Sequence, residues 1–235
     1  PGRNIALVED LGEKDLLSLA DQPWEEREPY YRSALEQLDR LFYIRLPRDL
    51  ELSPPFGPET YAWEQDYFID NLVEKHLGLA GADLRNHGEL SRLSNNLGAS
   101  HRNLIHRDFQ SQNLIVHDGK TWIIDFQGLR LGRQEYDLAS LIYDPYLDHS
   151  EEDQNRLLDL WEEISEERPI PELLRDCATQ RLMQALGAYA HILHEQRLEW
   201  YAQYISVGAK LLLTQVENTP LEEPLRPILE SAMEK

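Results

Sequence analysis

Apolar positions along this chain change period three times, and those changes divide it into segments. Asn4 to Glu9 is a short β-prone run closed by Asp10-Leu11-Gly12, which predicts a strand leading into a connector. From about Asp21, with Asp21 as the N-cap, Tyr31, Ala34, Leu35, Leu38, Leu41 and Phe42 recur at helical spacing. Pro47, Pro54, Pro55 and Pro58 then enforce an irregular connection. A second helix is predicted from Glu59 to Leu77, stopped by Gly78, and a third over about Asp83 to Asn96. Between Asn103 and Phe126 the pattern turns extended, in the only rich β segment. Helical periodicity then returns: Ser150-Glu-Glu-Asp153 has capping-box form, and Pro171 to His194, Leu198 to Val216 and Leu221 to Met233 complete a bundle.

Within the β segment, Asp118-Gly119 predicts a two-residue hairpin turn. That turn sets Asn113 opposite Ile124 and Gln112 opposite Asp125, so Asn113 and Asp125 become neighbours on paired strands. Carboxylate and amide oxygens so placed suit a hard ion such as Mg²⁺ shared with substrate phosphates. The run His106-Arg107-Asp108-Phe109-Gln110-Ser111-Gln112-Asn113 has the kinase catalytic-loop form HRDxxxxN, and Asp125-Phe126 follows at the distance of a metal-binding pair. Asp108 is thereby expected to be the base that accepts a proton from an attacking hydroxyl. His106 is expected to pack and hydrogen-bond within the loop.

Composition narrows the partners. The 235 residues carry a formal net charge of −20 and are 41% hydrophobic, which disfavours a phosphate-backbone partner such as nucleic acid. No apolar run is long enough to span a bilayer. The single cysteine, Cys177, forms no intramolecular disulfide and reads as a small buried hydrophobe, so a reducing cytoplasm is the expected compartment. His191 and His194 read as a packed or solvated pair, and Arg107 and Arg130 as partners of the many carboxylates. Tyr61, Trp63, Glu64, Asp66 and Tyr67 mix aromatic faces with carboxylates; Trp63 and Glu64 are the candidate substrate contacts, with helix packing as the competing explanation.

On these motifs the sequence resembles the aminoglycoside phosphotransferase and choline kinase group of protein-kinase-like enzymes. HRDFQSQNLIV, IIDFQG and YDLASLIYDPY, over Leu104 to Tyr146, look more narrowly like the bacterial kinases of cell-wall recycling that phosphorylate N-acetylmuramate or N-acetylglucosamine at the anomeric hydroxyl. The resemblance implies an α+β, protein-kinase-like fold, represented here by a mostly helical C-terminal lobe with a catalytic hairpin. It implies ATP and Mg²⁺, with Asn113 and Asp125 as metal ligands and Asp137 buttressing the catalytic loop. Residues 1–12 become the hinge strand and connector, with backbone groups near Glu9 and Leu11 reading the adenine edge. Residues 13–235 become the lobe, with Ile115 and Ile124 on the adenine face or simply in the core. No Gly-rich phosphate loop or strand lysine precedes Asn4, so the N-terminal β lobe is expected to be largely absent from this chain.

Two departures qualify the resemblance. The metal motif reads Asp125-Phe126-Gln127, and Gln110 stands where Ser/Thr protein kinases carry lysine. The interval from Asp125 to Asp137 leaves no room for a peptide-docking segment, so a small-molecule acceptor is expected. An aminoglycoside, choline or other amino-alcohol kinase, and a catalytically silent nucleotide-binding module, are the alternative readings.

Overall fold

The computed structural model describes residues 8–47, 49–50, 52–99 and 102–235. Its helices are α1 (Trp24–Phe42), α2 (Pro58–Phe68), α3 (Ala82–Arg85), α4 (Gly88–Gly98), α5 (Gln134–Ile142), α6 (Glu151–Ser165), α7 (Pro171–His191), α8 (Ala202–Val216) and α9 (Glu222–Glu234). Four short strands lie between α4 and α5: β1 (Asn103–Ile105), β2 (Leu114–His117), β3 (Lys120–Ile123) and β4 (Arg130–Gly132). They form two antiparallel pairs, β1 with β4 and β2 with β3.

The helices centre on α7, which packs against α8, α2 and α5, while α9 covers α8 and α1 bridges β3 and α6. Leu174, Cys177, Ala178, Leu182, Met183, Leu186 and Ala190 of α7 are buried, as are the polar Thr179, Gln180 and Arg181, so this central helix is buried on most of its circumference. Cys177 has no exposed surface. Ser150 Oγ accepts from the Asp153 amide at 3.1 Å and starts α6 as the capping-box pattern predicts. Gly78, at φ +74°, ends the second helical run in the left-handed conformation that glycine adopts without steric cost.

Several boundaries differ from the periodicity. The predicted strand at Asn4 to Glu9 falls outside the described residues up to position 7, and Val8 and Glu9 are irregular. Helix α1 begins at Trp24 rather than at Asp21, with Pro23 as its N-cap, because the proline ring disfavours helical geometry at Gln22. The run after Tyr61 continues beyond Phe68 as wider π-helical turns over Ile69–Leu77. Hydrophobic spacing does not separate these from α turns. The third predicted helix is broken into α3 and α4 where the Asn86 side chain returns to the Ala82 carbonyl at 2.8 Å. Strand β4 has three residues and no β-branched side chain, too little to signal a strand.

Candidate active site

The hairpin β2–β3 turns at Asp118 and Gly119, both at positive φ, and pairs Leu114 with Ile123 and Ile115 with Trp122. This is the register the two-residue turn predicts, and one further bond, from the Ile124 amide to the Asn113 carbonyl at 3.0 Å, extends it. Asn113, in a 3-10 turn, and Asp125, in the left-handed conformation, themselves lie just beyond the paired strands on which the sequence placed them. Leu114 and Val116 face the core. The connector after Gly12 lies along the other edge of β2: the Leu16 amide donates to the Leu114 carbonyl at 2.8 Å, and the Val116 amide to the Lys14 carbonyl at 2.6 Å. Leu11 is half-buried and Glu9 exposed in the irregular segment that enters this edge. Ile115 is buried and Ile124 partly so.

Residues 106–113 form the loop between β1 and β2, and two buried carboxylates hold it from below. Asp137, on the first turn of α5, accepts the amides of His106 at 2.6 Å and Arg107 at 2.7 Å. Burial pushes its pKa up to about 7, and the two amide donors pull back against that shift. Asp144 accepts the amides of Ser111 at 2.8 Å and Tyr146 at 2.9 Å. Arg107 lies between these anchors at φ +81°, a left-handed conformation that a non-glycine residue holds only when its surroundings impose it.

His106 is buried, and its Nε2 donates to the Ile124 carbonyl at 2.8 Å, tying the loop to the end of the hairpin. Burial lowers its pKa, so the ring is neutral and serves as a strut. Asn113 Nδ2 donates to the Asp108 main-chain carbonyl at 2.8 Å. Its Oδ1 is thereby left as an acceptor directed elsewhere. Asp125 follows the hairpin in the left-handed conformation (φ +64°, ψ +39°), exposed, with one carboxylate oxygen accepting from Gln127. An amide oxygen and a free carboxylate oxygen on adjoining backbone are the donors Mg²⁺ prefers, with substrate phosphates and water completing the shell, so these residues fit the ion the motif implies.

Asp108 is partly exposed and lines a cleft of about 160 Å³ together with Gln110, Gln184, Arg181, Tyr189 and Tyr201. Asn113 and Asp125 lie outside that lining; the Asn113 side-chain amide joins it to the Asp108 main chain. Arg181, nearly buried on α7, sends Nε to Ser140 Oγ at 2.9 Å and Nη2 to Gln110 Oε1 at 2.9 Å, with Nη2 3.7 Å from Asp108 Oδ1. Gln110, the departure from the protein-kinase pattern, thus meets a cation from a distant helix.

The pair Trp63 and Glu64 separates. Trp63 is 53% exposed and stacks on Tyr67, with ring centroids 5.4 Å apart. Glu64, expected beside sugar hydroxyls, has no exposed surface: it accepts from Tyr136 Oη at 3.2 and 3.1 Å and from Gln180 Nε2 at 3.2 Å, and lies 3.7 Å from Arg107. Successive helical positions point about 100° apart, so one faces solvent while the other enters the core. Glu64 belongs to the packing beneath the loop, and burial pushes its pKa up to about 7.

Arg181, Gln184, Asp144 and the tyrosines of the cleft were not singled out from sequence. The available signal was the polar set Gln180, Arg181 and Gln184 interleaved with the apolar positions Leu182, Met183, Ala185 and Leu186. His194 pairs with His76 at 3.0 Å and His191 with Asn71 at 3.3 Å, and no group of three metal-ligating His, Cys, Asp or Glu side chains occurs among the described residues.

The chain is similar to known proteins in sequence and in fold. The chain is 26% identical over 213 residues to an N-acetylmuramate/N-acetylglucosamine kinase of Neisseria meningitidis serogroup B, covering 84% of this chain and 62% of that protein. It therefore spans less than two thirds of that relative's length. Its fold is similar to that of an ethanolamine kinase of Plasmodium vivax (TM-score 0.60, 14% identity, 93% of this chain and 65% of the other). It is also similar to an ADP-bound aminoglycoside phosphotransferase, APH(2'')-Ib (TM-score 0.52, 16% identity, 89% and 71%). These likenesses show a protein-kinase-like fold, represented by the helical lobe and its small sheets. The pattern of the phosphotransferase enzyme family (APH) matches residues 2–174, well over half of the sequence, and the chain belongs to that family.

Proposed function

We propose that this chain is the substrate-binding lobe of an ATP-dependent kinase that phosphorylates a hydroxyl of a small molecule. The observation that carries the reading is the placement of Asp108. Its loop is pinned through the His106 and Arg107 amides to Asp137, and its carboxylate opens on a cleft lined by Gln110, Arg181, Gln184 and tyrosines, groups that can bind a polar small molecule.

In this reading Asp108 orients the acceptor hydroxyl and takes its proton as the hydroxyl oxygen bonds to the γ-phosphorus and the bond to the β-phosphate bridging oxygen breaks. Asn113 and Asp125 hold Mg²⁺, which when bound neutralises charge on the phosphates. His106 and Asp137 keep the loop in place. Residues 1–12 serve as hinge and connector and residues 13–235 as the lobe, with Glu9 and Leu11 backbone groups on the adenine edge and Ile115 and Ile124 beneath its ring. The enzyme works in the cytoplasm.

The acceptor is an N-acetylated amino sugar, phosphorylated at the anomeric hydroxyl. Support comes from the N-acetylmuramate/N-acetylglucosamine kinase relative and from the tyrosines of the cleft, whose ring faces suit the apolar face of a sugar. The test is ATP consumption by the full protein with N-acetylmuramate, N-acetylglucosamine, kanamycin, choline and ethanolamine, with the phosphate located by phosphorus NMR. The sugars are expected to have the highest kcat/KM, with phosphate on the 1-hydroxyl. Preference for choline, ethanolamine or kanamycin would overturn the acceptor while leaving the kinase chemistry intact.

A further inference from the structure

The net charge of −20 suggests a protein that welcomes cations, but the cleft beside Asp108 is built otherwise. Asp108 is the one carboxylate in its lining, and Arg181 already stands 3.7 Å from it. The remaining lining groups are amides, tyrosines and small apolar side chains, so the formal charge of the cleft walls is zero within an acidic protein.

Arg181 is also fixed. Its Nε donates to Ser140 Oγ, one Nη to Gln110 Oε1 and the other to Gln184 Oε1, so the guanidinium cannot swing away to admit a second cation. It is 6% exposed, where solvent screens its field poorly. Burial opposes its charge, but Tyr136, Asp108 and the other groups around it outweigh that, and its pKa is raised. Residue 181 lies beyond the segment that matches the family pattern, residues 2–174.

We propose that Arg181 is the specificity-determining residue of the acceptor cleft, a fixed positive charge that rejects cationic acceptors and admits neutral or anionic polyols. The inference rests on the reading of Asp108 as the acceptor-side base. Like charges brought together in a partly dry cleft are strongly unfavourable, and rejection of this kind sets specificity as effectively as attraction.

The test compares glucosamine, N-acetylglucosamine and N-acetylmuramate, which are cationic, neutral and anionic, by calorimetric binding to the full protein with a nonhydrolysable ATP analogue, and by turnover. Wild type is expected to bind the neutral and anionic sugars on the order of tenfold or more tighter than glucosamine. Arg181→Gln should shrink that ratio by a similar factor, whereas Arg181→Lys, which keeps the charge, should preserve it. Differences due to the acetyl group are common to all three proteins and cancel in the comparison. Wild-type binding of glucosamine as tight as that of N-acetylglucosamine overturns the proposal without any variant. A ratio unchanged in a folded Arg181→Gln protein also overturns it. Charge-ranked binding without turnover sustains the role of Arg181 and sinks the kinase reading; turnover blind to charge does the reverse. Absence of binding by all three sugars overturns both.

Discussion

The side-chain amide of Asn113 donates to the main-chain carbonyl of Asp108 at 2.8 Å, so the proposed metal ligand and the proposed base belong to one braced loop. A displacement of either is felt by the other, yet in the proposed reaction the Asp108 carboxylate would meet the acceptor and the Asn113 amide oxygen the metal.

That division predicts separable kinetic defects. Asp108→Asn removes the proton acceptor and should lower kcat by roughly 10²- to 10⁴-fold with little change in nucleotide affinity. Asp125→Asn should instead weaken Mg·ATP binding. Steady-state kinetics and calorimetry on the full protein separate the two, and an equal loss of nucleotide affinity in both would contradict the assignment.

The two amides held by Asp137 set the cost of losing it. Asp137→Ala leaves the His106 and Arg107 amides without their acceptor in a buried place, and removes the restraint on a left-handed Arg107. A loss of about 2–5 kcal/mol in urea unfolding is expected. Asp137→Asn, which retains one acceptor oxygen, should cost less. A fully stable Asp137→Ala protein would remove Asp137 from its place beneath the loop.

Burial of Glu64 gives stability a pH dependence of definite sign. Its pKa rises from the ordinary 4.5 to about 7 on folding. The native state therefore binds the extra proton between those values, and stability falls as pH rises through them. The contribution is complete below about pH 4.5 and lost above about pH 7. Asp137, raised from 3.8 to about 7, acts in the same direction. Glu64→Gln keeps an oxygen for Tyr136 but no longer titrates, so denaturant unfolding from about pH 5 to about pH 8 should show a shallower decline than in wild type. An equal or steeper decline would refute the buried, protonated Glu64.

Gly98 closes α4 against the start of α2. A Cβ there would lie 2.5 Å from the Pro58 backbone nitrogen, which belongs to a rigid ring and cannot give way as a side chain does. Gly98→Ala should destabilise the fold by about 1–3 kcal/mol through overpacking, read as a lowered urea midpoint with unchanged m-value.

Much of the site was legible in the chain because its determinants are local. The Asp118-Gly119 turn sets the register of β2 and β3, and with it the adjacency of Asn113 to Ile124, since a two-residue turn leaves one way to pair the strands. The spacing of His106, Asp108, Asn113 and Asp125 marked the candidate site, because those residues lie within one loop and the end of one hairpin. Helix periods located most of the bundle, although Pro23 and Asn86 moved two boundaries through backbone effects that hydrophobic spacing does not carry. Tertiary structure alone decided what lies across the cleft. Trp63 and Glu64 are neighbours in sequence and part ways in space, one toward solvent and one beneath Tyr136. Arg181 is 73 positions beyond Asp108 by sequence number, and only the packing of α7 against α5 brings its guanidinium to that carboxylate. A contact between distant helices depends on how whole elements pack, and neither the period nor the motif of either segment encodes it.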